Sequence, residues 1–386
     1  MGAMKDLTGE FPVAEKLAYF NTAGAGLIPR TVVEEIKAMY ARYLSTPPYE
    51  ELFEEFRVMV EAARGEFAPV IGARPEEISF QTNASTGLNF VTQMVNPRRG
   101  ENVVSDDLGF PSDVYPLLAL RKKGVQVRIM RNRGGLVTAE DYRRAIDDNT
   151  KLVMLSYVSW VNGMKLDGVG EIAKIAKDKG AFVMIDTTHG TGYLDIDVRK
   201  WDVDFLATSN YKWLLSPFGA AEFYCPRRHL EEFQPPHLGW NSAGGGTREL
   251  KVEEYKLAKS AKRFEAGNPD YIAIYGLTRS LRFMSDIGRE KIMRRTLGLV
   301  EEILEGLVKL RMEVLSPAEK RYRSGAIFAS SGSRSGAAIT RSLRKRGVLV
   351  SDRYYHGISG IRVSPYFYTA SKDVERLLGA LRLALA

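Results

Sequence analysis

A single cysteine, Cys225, in 386 residues excludes an internal disulfide and any cysteine-based metal cluster. The four histidines are scattered and form no HExxH or similar ligand spacing. No apolar run approaches the roughly 18 to 20 residues that span a bilayer. The opening residues, MGAMKDLTGEFPV, lack the apolar core of a signal peptide, so a cytoplasmic location without membrane association is the expectation. Low-complexity segments and repeats of about 20 to 50 residues are also missing, which argues against a solenoid. Neither a Walker GxxxxGK[ST] nor a strand-linked GxGxxG occurs, and the GAG at 24–26 follows no suitable strand.

What is there is a chain with 45% hydrophobic residues, enough for a large core and two domains. The formal charge of +8 raises the question of a nucleic-acid partner. Basic residues are interleaved with glutamates, as in VEEIKAMYARYL, and the densest groups are short. A solvated surface is therefore expected, with no nucleic-acid partner, and the balance suits an anionic cofactor or substrate.

Short apolar strands alternate with amphipathic helices through the first two thirds. Candidate strands are ISF near Ile78, NVV near Val103, VQVRIM at 125–130, KLVMLSYV at 151–158, AFVMID at 181–186, VDFLATS at 203–209 and AAEFYC at 220–225. VYPLLALRKKG, TAEDYRRAID and GVGEIAKIAKDKG lie between them and read as helices. The alternation predicts an α/β fold with a mostly parallel seven-stranded sheet covered on both faces. From about residue 270 a long helical region leads into MEVLS, GAIFASS and GVLVS. That change of rhythm predicts a large domain over 21–260 and a smaller α+β domain over 261–386. SAGGGT at 242–247 is a candidate connecting loop.

In open parallel sheets ligands bind beyond the carboxyl ends of the strands. ISF leads into Gln81-Thr82-Asn83-Ala84-Ser85-Thr86-Gly87, a hydroxyl-rich helix start. It can seat a phosphate on free backbone N–H groups, or serve simply as a good N-cap. AFVMI delivers Asp186-Thr187-Thr188-His189, and VDFLAT delivers Ser209-Asn210-Tyr211-Lys212. A buried Asp and a buried Lys are each costly without a partner. They can pair with one another, or both can address a third group. Pyridoxal phosphate would meet the Asp with its ring nitrogen, the Lys with its aldehyde and the helix start with its phosphate.

The order of that helix start, FPSDVYP, IDTTHG, SNYKW, RFEAGNP and IRVSP resembles the class V aminotransferase group of fold-type I pyridoxal-phosphate enzymes. That group includes cysteine desulfurases, selenocysteine lyases, isopenicillin N epimerase-like proteins and kynureninases. The resemblance runs from roughly residue 18 to the C-terminus. It implies that Lys212 forms a Schiff base with the cofactor and moves the α-proton. Asp186 would hold the pyridine nitrogen protonated, His189 would reach the phenolic oxygen, and Phe110 would lie on the ring face. Ala84 N–H, Ser85, Ser209 and Tyr211 would hold the phosphate. Asn268 would complete that site from a neighbouring subunit, which implies a homodimer with active sites at the interface. Arg362 would fork onto the substrate α-carboxylate, a planar bidentate task. Residues 1–20 would lie near the site, with Asn162 and the NTAGAG segment from Asn21 as substrate walls. Taken singly, Phe110 also reads as core, His189 as a satisfied buried histidine, and Arg362 as a surface cation on a strand.

The reaction is less legible. A desulfurase places a thiolate on the loop before the carboxylate-binding arginine, and VLVSDRYYHGISGIR contains no cysteine. The persulfide route is therefore disfavoured, whereas a lyase that releases its leaving group directly is not. Transamination is the default expectation. C–S or C–Se lysis, epimerisation and kynureninase-like hydrolysis are the alternatives, and a non-catalytic basic binding protein on the same fold is the rival from another class. Arg353, Tyr354 and His356 stand where they could read the substrate side chain, and Arg353 would favour an acidic one.

Overall fold

The computed structural model describes residue 7 and residues 9–47, 51–244, 253–355 and 357–386. Much of the expected loop at 242–247, and His356, lie outside the described residues. The large sheet contains β2 (Ile78–Gln81), β3 (Asn102–Asp106), β4 (Gln126–Met130), β5 (Thr150–Ser156), β6 (Phe182–Asp186), β7 (Phe205–Ser209) and β8 (Ala221–Tyr224). Its order is β2-β8-β7-β6-β5-β3-β4. Only β8 runs antiparallel to its neighbours, β2 and β7. The expected mostly parallel, seven-stranded sheet is present. Its central strands read as nearly unbroken apolar runs, as they must when helices cover both faces.

The helices that flank this sheet start where their sequences provide caps. Helix α4 (Ala84–Val95) begins after Asn83, whose Oδ1 accepts the Thr86 N–H at 3.1 Å. Helix α5 (Pro111–Ala119) opens on a proline, and the Asp113 carboxylate accepts the Phe110 N–H at 2.9 Å. Earlier in the chain come α1 (Pro12–Lys16), α2 (Arg30–Ser45) and α3 (Phe53–Phe67). Helices α6 (Ala139–Ala145), α7 (Val169–Asp178) and α8 (Val198–Trp201) connect the later strands.

Beyond the large sheet come α9 (Tyr271–Ile287), α10 (Arg289–Lys309), α11 (Gly336–Lys345) and α12 (Ser371–Leu385). A four-stranded antiparallel sheet has the order β12 (Ser351–Tyr355), β13 (Ile358–Val363), β10 (Ile327–Ser330) and β9 (Glu313–Val314). The expected strand GVLVS divides. Its Val348–Leu349 portion, β11, pairs in parallel with β1 (Ala18–Tyr19), and Ser351 already belongs to β12.

Three large apolar cores follow from this arrangement. The first packs α3 and α7 on one face of the large sheet together with Ala273, Ile274 and Leu277 of α9. The second, beside the small sheet, joins Leu299, Ile303, Ile361 and Leu377, and includes Ala18 and Phe20. The third lies on the other face of the large sheet and takes in Leu88 of α4, Leu117 of α5 and Phe223. The chain therefore changes core near the start of α10 and not at residue 261. An amphipathic period reveals that a helix has an apolar face, but not which core receives it.

RFEAGNP is fastened to the sheet edge by a buried ion pair. Arg64 donates from Nη1 and Nη2 to the two carboxylate oxygens of Glu265, at 2.7 and 2.9 Å. The Phe80 N–H reaches Glu265 Oε1 at 2.7 Å. Removing one partner leaves a buried charge uncompensated, which costs about 3–5 kcal/mol. Glu265→Ala is expected to lower stability by that amount in chemical denaturation, and the double replacement Arg64→Met, Glu265→Leu should recover most of it.

Candidate active site

β5, β6 and β7 lie side by side in parallel, in a register that pairs Ser156 with Asp186 and Asp186 with Ala207. Their carboxyl ends gather the polar residues that follow each strand. Lys212 occupies the turn after β7 and is only 7% exposed. Its Nζ lies 3.1 Å from His189 Nε2. It also sits 5.6 Å from the Phe110 ring centroid and 5.5 Å from that of Tyr211. The sequence puzzle of a lysine at a buried strand end thus has a geometric answer: the amine points inward.

The Lys212 backbone is held as tightly as its side chain. Gly26 donates its N–H to the Tyr211 carbonyl at 2.8 Å. A β-carbon on Gly26 would come 2.0 Å from the Lys212 carbonyl oxygen, so only glycine fits there. Trp213 is buried, with its ring 4.4 Å from that of Tyr193. Tyr366 Oη donates to the Trp213 carbonyl at 2.8 Å. The Asn21 segment therefore walls the site through its backbone, while Asn21 Oδ1 accepts a hydrogen bond from Ser351.

Burial dominates the electrostatics. It lowers the Lys212 amine to about 8, opposed by Asp186, with Arg362 and Arg353 adding to the depression. His189 is pushed well below the ordinary imidazole range by burial, then by the charges of Lys212, Arg362 and Arg353. It is a neutral ring beside an amine. Asp113 is raised well above the carboxylate range by burial and by the neighbouring Asp186. Asp113 is thus the carboxyl that favours its protonated form. The hydroxyl of Ser156 and the Phe110 N–H bond to the Asp113 carboxyl, and the Thr188 N–H bonds to Asp186 Oδ1 at 2.7 Å.

At the start of α4, the Ala84 N–H reaches Ser209 Oγ at 3.1 Å, and Ser85 Oγ reaches Ser112 Oγ at 2.8 Å. Tyr211 stacks on Phe218, with ring centroids 4.3 Å apart. These groups form an anion seat at the positive end of a twelve-residue helix. On the opposite side stands Arg362, 1% exposed, donating from Nη1 to the Trp160 carbonyl at 2.7 Å. Its Nε and Nη2 are buried without a partner. A buried arginine with unused donors is arranged to receive an anion.

Two expected residues stand apart from this group. Asn162 is buried and braces the backbone: its Nδ2 donates to Gly135 O at 2.8 Å, and its Oδ1 accepts from Met164 N at 3.1 Å. Its amide is already committed to the backbone. Asn268 accepts from Tyr271 Oη at 3.1 Å and lines a separate cleft with Gln81, Thr82 and Thr86.

Sequence reasoning missed Trp160, Asp113 and Ser156. Phe110 is not core; it is 36% exposed and meets the Trp160 ring edge-to-face at 5.6 Å. Trp160 lay two residues from Asn162 in the same strand-end segment. Asp113 lay in FPSD, at the position that caps a helix. Nothing in the sequence announced that Asp113 would meet Asp186.

These residues fit pyridoxal phosphate: a buried amine, two adjacent carboxyls at Asp186 and Asp113, an aromatic face, a hydroxyl-rich helix start and an arginine with unused donors. The aminotransferase class-V family model matches residues 18–377. A probable cysteine desulfurase of Pyrococcus abyssi is 26% identical, covering 98% of this chain and 96% of its own. A kynureninase of Bacillus cereus is 27% identical, covering 77% of this chain and 71% of its own. The apo cysteine desulfurase of Thermococcus onnurineus NA1 superposes with a TM-score of 0.90 at 26% identity, covering 99% of this chain and 98% of that one.

In the cofactor-free protein, Lys212 should titrate near 8. The Asp186 carboxylate favours the charged amine, so Asp186→Asn is expected to move that midpoint down. The pH dependence of amine labelling at Lys212, followed by mass spectrometry, checks the direction; an upward shift would contradict it.

Proposed function

Since the chain belongs to the aminotransferase class-V family and works with pyridoxal 5′-phosphate, we propose that it cleaves a side-chain bond of an amino acid and releases the leaving group without a cysteine relay. One observation carries this reading: the site is equipped to hold an amino acid and move its α-proton, but it has no thiol. Cys225, the only cysteine, is fully buried in the apolar layer behind the sheet, where burial pushes its thiol up. The β12–β13 hairpin ahead of Arg362 contains none.

The cofactor supplies an aldehyde that condenses with amines and a ring that draws electron density from the α-carbon. Lys212 is its attachment point, and with an amine lowered to about 8 it is suited to take and return a proton near neutral pH. Asp186 would hold a proton on the ring nitrogen, with Asp113 beside it. His189, kept neutral, would offer Nε2 to the amine or to a phenolic oxygen. Arg362, with Nε and Nη2 unused, would hold the substrate α-carboxylate.

The name cysteine desulfurase denotes loss of sulfur from a side chain, and this supports cleavage over amine transfer. Those relatives also count against dismissing sulfur chemistry; what this chain lacks is the thiol that would carry a persulfide. Transamination is the second reading, supported by the description of the matched family. A homodimer, completed at the phosphate by Asn268, belongs to the same proposal.

Lys212→Ala is expected to abolish covalent cofactor retention and to lower turnover by roughly 10²–10⁴-fold, with the fold unchanged by circular dichroism. Products from a panel of amino acids identify the reaction. A freed side-chain group accompanied either by pyruvate and ammonia or by alanine supports cleavage. A keto acid that keeps the whole carbon skeleton and side chain, with the amine left on the cofactor, would replace it with transamination.

A further inference from the structure

The second arginine at the site, Arg353, has no role in the chemistry above. The β12–β13 register pairs Ser351 with Arg362 and Arg353 with Gly360. Side chains alternate between faces along a strand, and directly opposed residues share a face. Arg353 and Arg362 are therefore diagonal neighbours on one face of the hairpin. Both converge on Trp160: Arg362 donates to its carbonyl, and the Arg353 guanidinium carbon lies 5.7 Å from its ring centroid.

Neither guanidinium has an ion-pair partner among the described residues. Arg353 donates from Nη1 only to the Asp352 carbonyl, at 2.7 Å, and its Nε is buried without a partner. Its neighbour Arg362 leaves two nitrogens unpartnered. Two like charges on one face, Arg362 buried and Arg353 half-buried, both short of acceptors, destabilise the site. The α-carboxylate of a substrate satisfies one of them.

We propose that Arg353 selects substrates carrying a second anionic group on the side chain, held against Trp160 while Arg362 holds the α-carboxylate. Trp160 serves as the shared floor, with its indole ring under one guanidinium and its backbone carbonyl fixing the other. Arg353 is then a specificity-determining residue, and it deepens the preceding proposal by naming the substrate class.

Non-reactive acids test this on the pyridoxal-phosphate-loaded protein by isothermal titration calorimetry. Succinate and butyrate have the same carbon count and differ in one carboxylate. The wild type is expected to bind succinate at least about tenfold more tightly than butyrate. Arg353→Met should reduce that ratio to within about twofold, and Arg353→Lys should retain part of it. Equal binding of the two acids by the wild type, or an undiminished ratio in Arg353→Met, would overturn the proposal. Circular dichroism and the cofactor absorbance band verify that each variant is folded and loaded. An Arg353 result of that kind with the band intact leaves the pyridoxal-phosphate reading standing. No band in the wild type would remove both.

Discussion

Everything at this site depends on keeping one amine, that of Lys212, out of water. Burial lowers it to about 8, and the surrounding groups decide how far that goes. Asp186 pulls it up, while Arg362 and Arg353 push it down. A lysine exposed to solvent would remain charged at neutral pH and be useless as a base. The enclosure is built from backbone contacts as much as from side chains. Gly26 lies against the Lys212 carbonyl, and Tyr366 holds the Trp213 carbonyl.

The two carboxyls behind the lysine obey the same constraint. Burial and the neighbouring Asp186 raise the Asp113 carboxyl well above the ordinary carboxylate range, against the opposing effect of hydrogen bonds from Ser156 and the Phe110 N–H. This makes FPSD more than a helix start. One aspartate caps α5 and tunes the neighbour that faces the cofactor, and Phe110 in the same four residues faces the amine. The arginine side has the opposite polarity: Arg353 and Arg362 have no ion-pair partner among the described residues, and Arg362 keeps two buried nitrogens unpartnered.

The small sheet matters because it delivers those cations. β12 and β13 form a hairpin whose inner face carries Arg353 and Arg362, and the Asn21 segment lies along its edge through Ser351 and Ser364. A site assembled from the ends of β5, β6 and β7, the starts of α4 and α5, and a hairpin some 150 residues later is sensitive to how the cores sit together. The Tyr355 hydroxyl ties the hairpin to the large sheet by donating to the Asp107 carbonyl at 3.0 Å and accepting from Asn132.

Strand positions, the seven-stranded sheet and the strand-end residues Asp186, His189, Ser209 and Lys212 were determined by the sequence alone. Apolar runs of this length between helical periods admit few other arrangements, and polar residues at buried strand ends need a reason to be there. The family resemblance extended this to Phe110, Arg362 and the cofactor. Tertiary structure alone decided the rest. It brought Asp113 against Asp186, put Trp160 in place of the Asn162 amide, moved α9 into the first core and residues 18–20 into the second, and set Arg353 beside Arg362. Each of these is a contact between segments far apart in the chain. Local periodicity and capping patterns describe what a segment presents, whereas the partner it meets is fixed only when the sheet order and hairpin register bring the surfaces together.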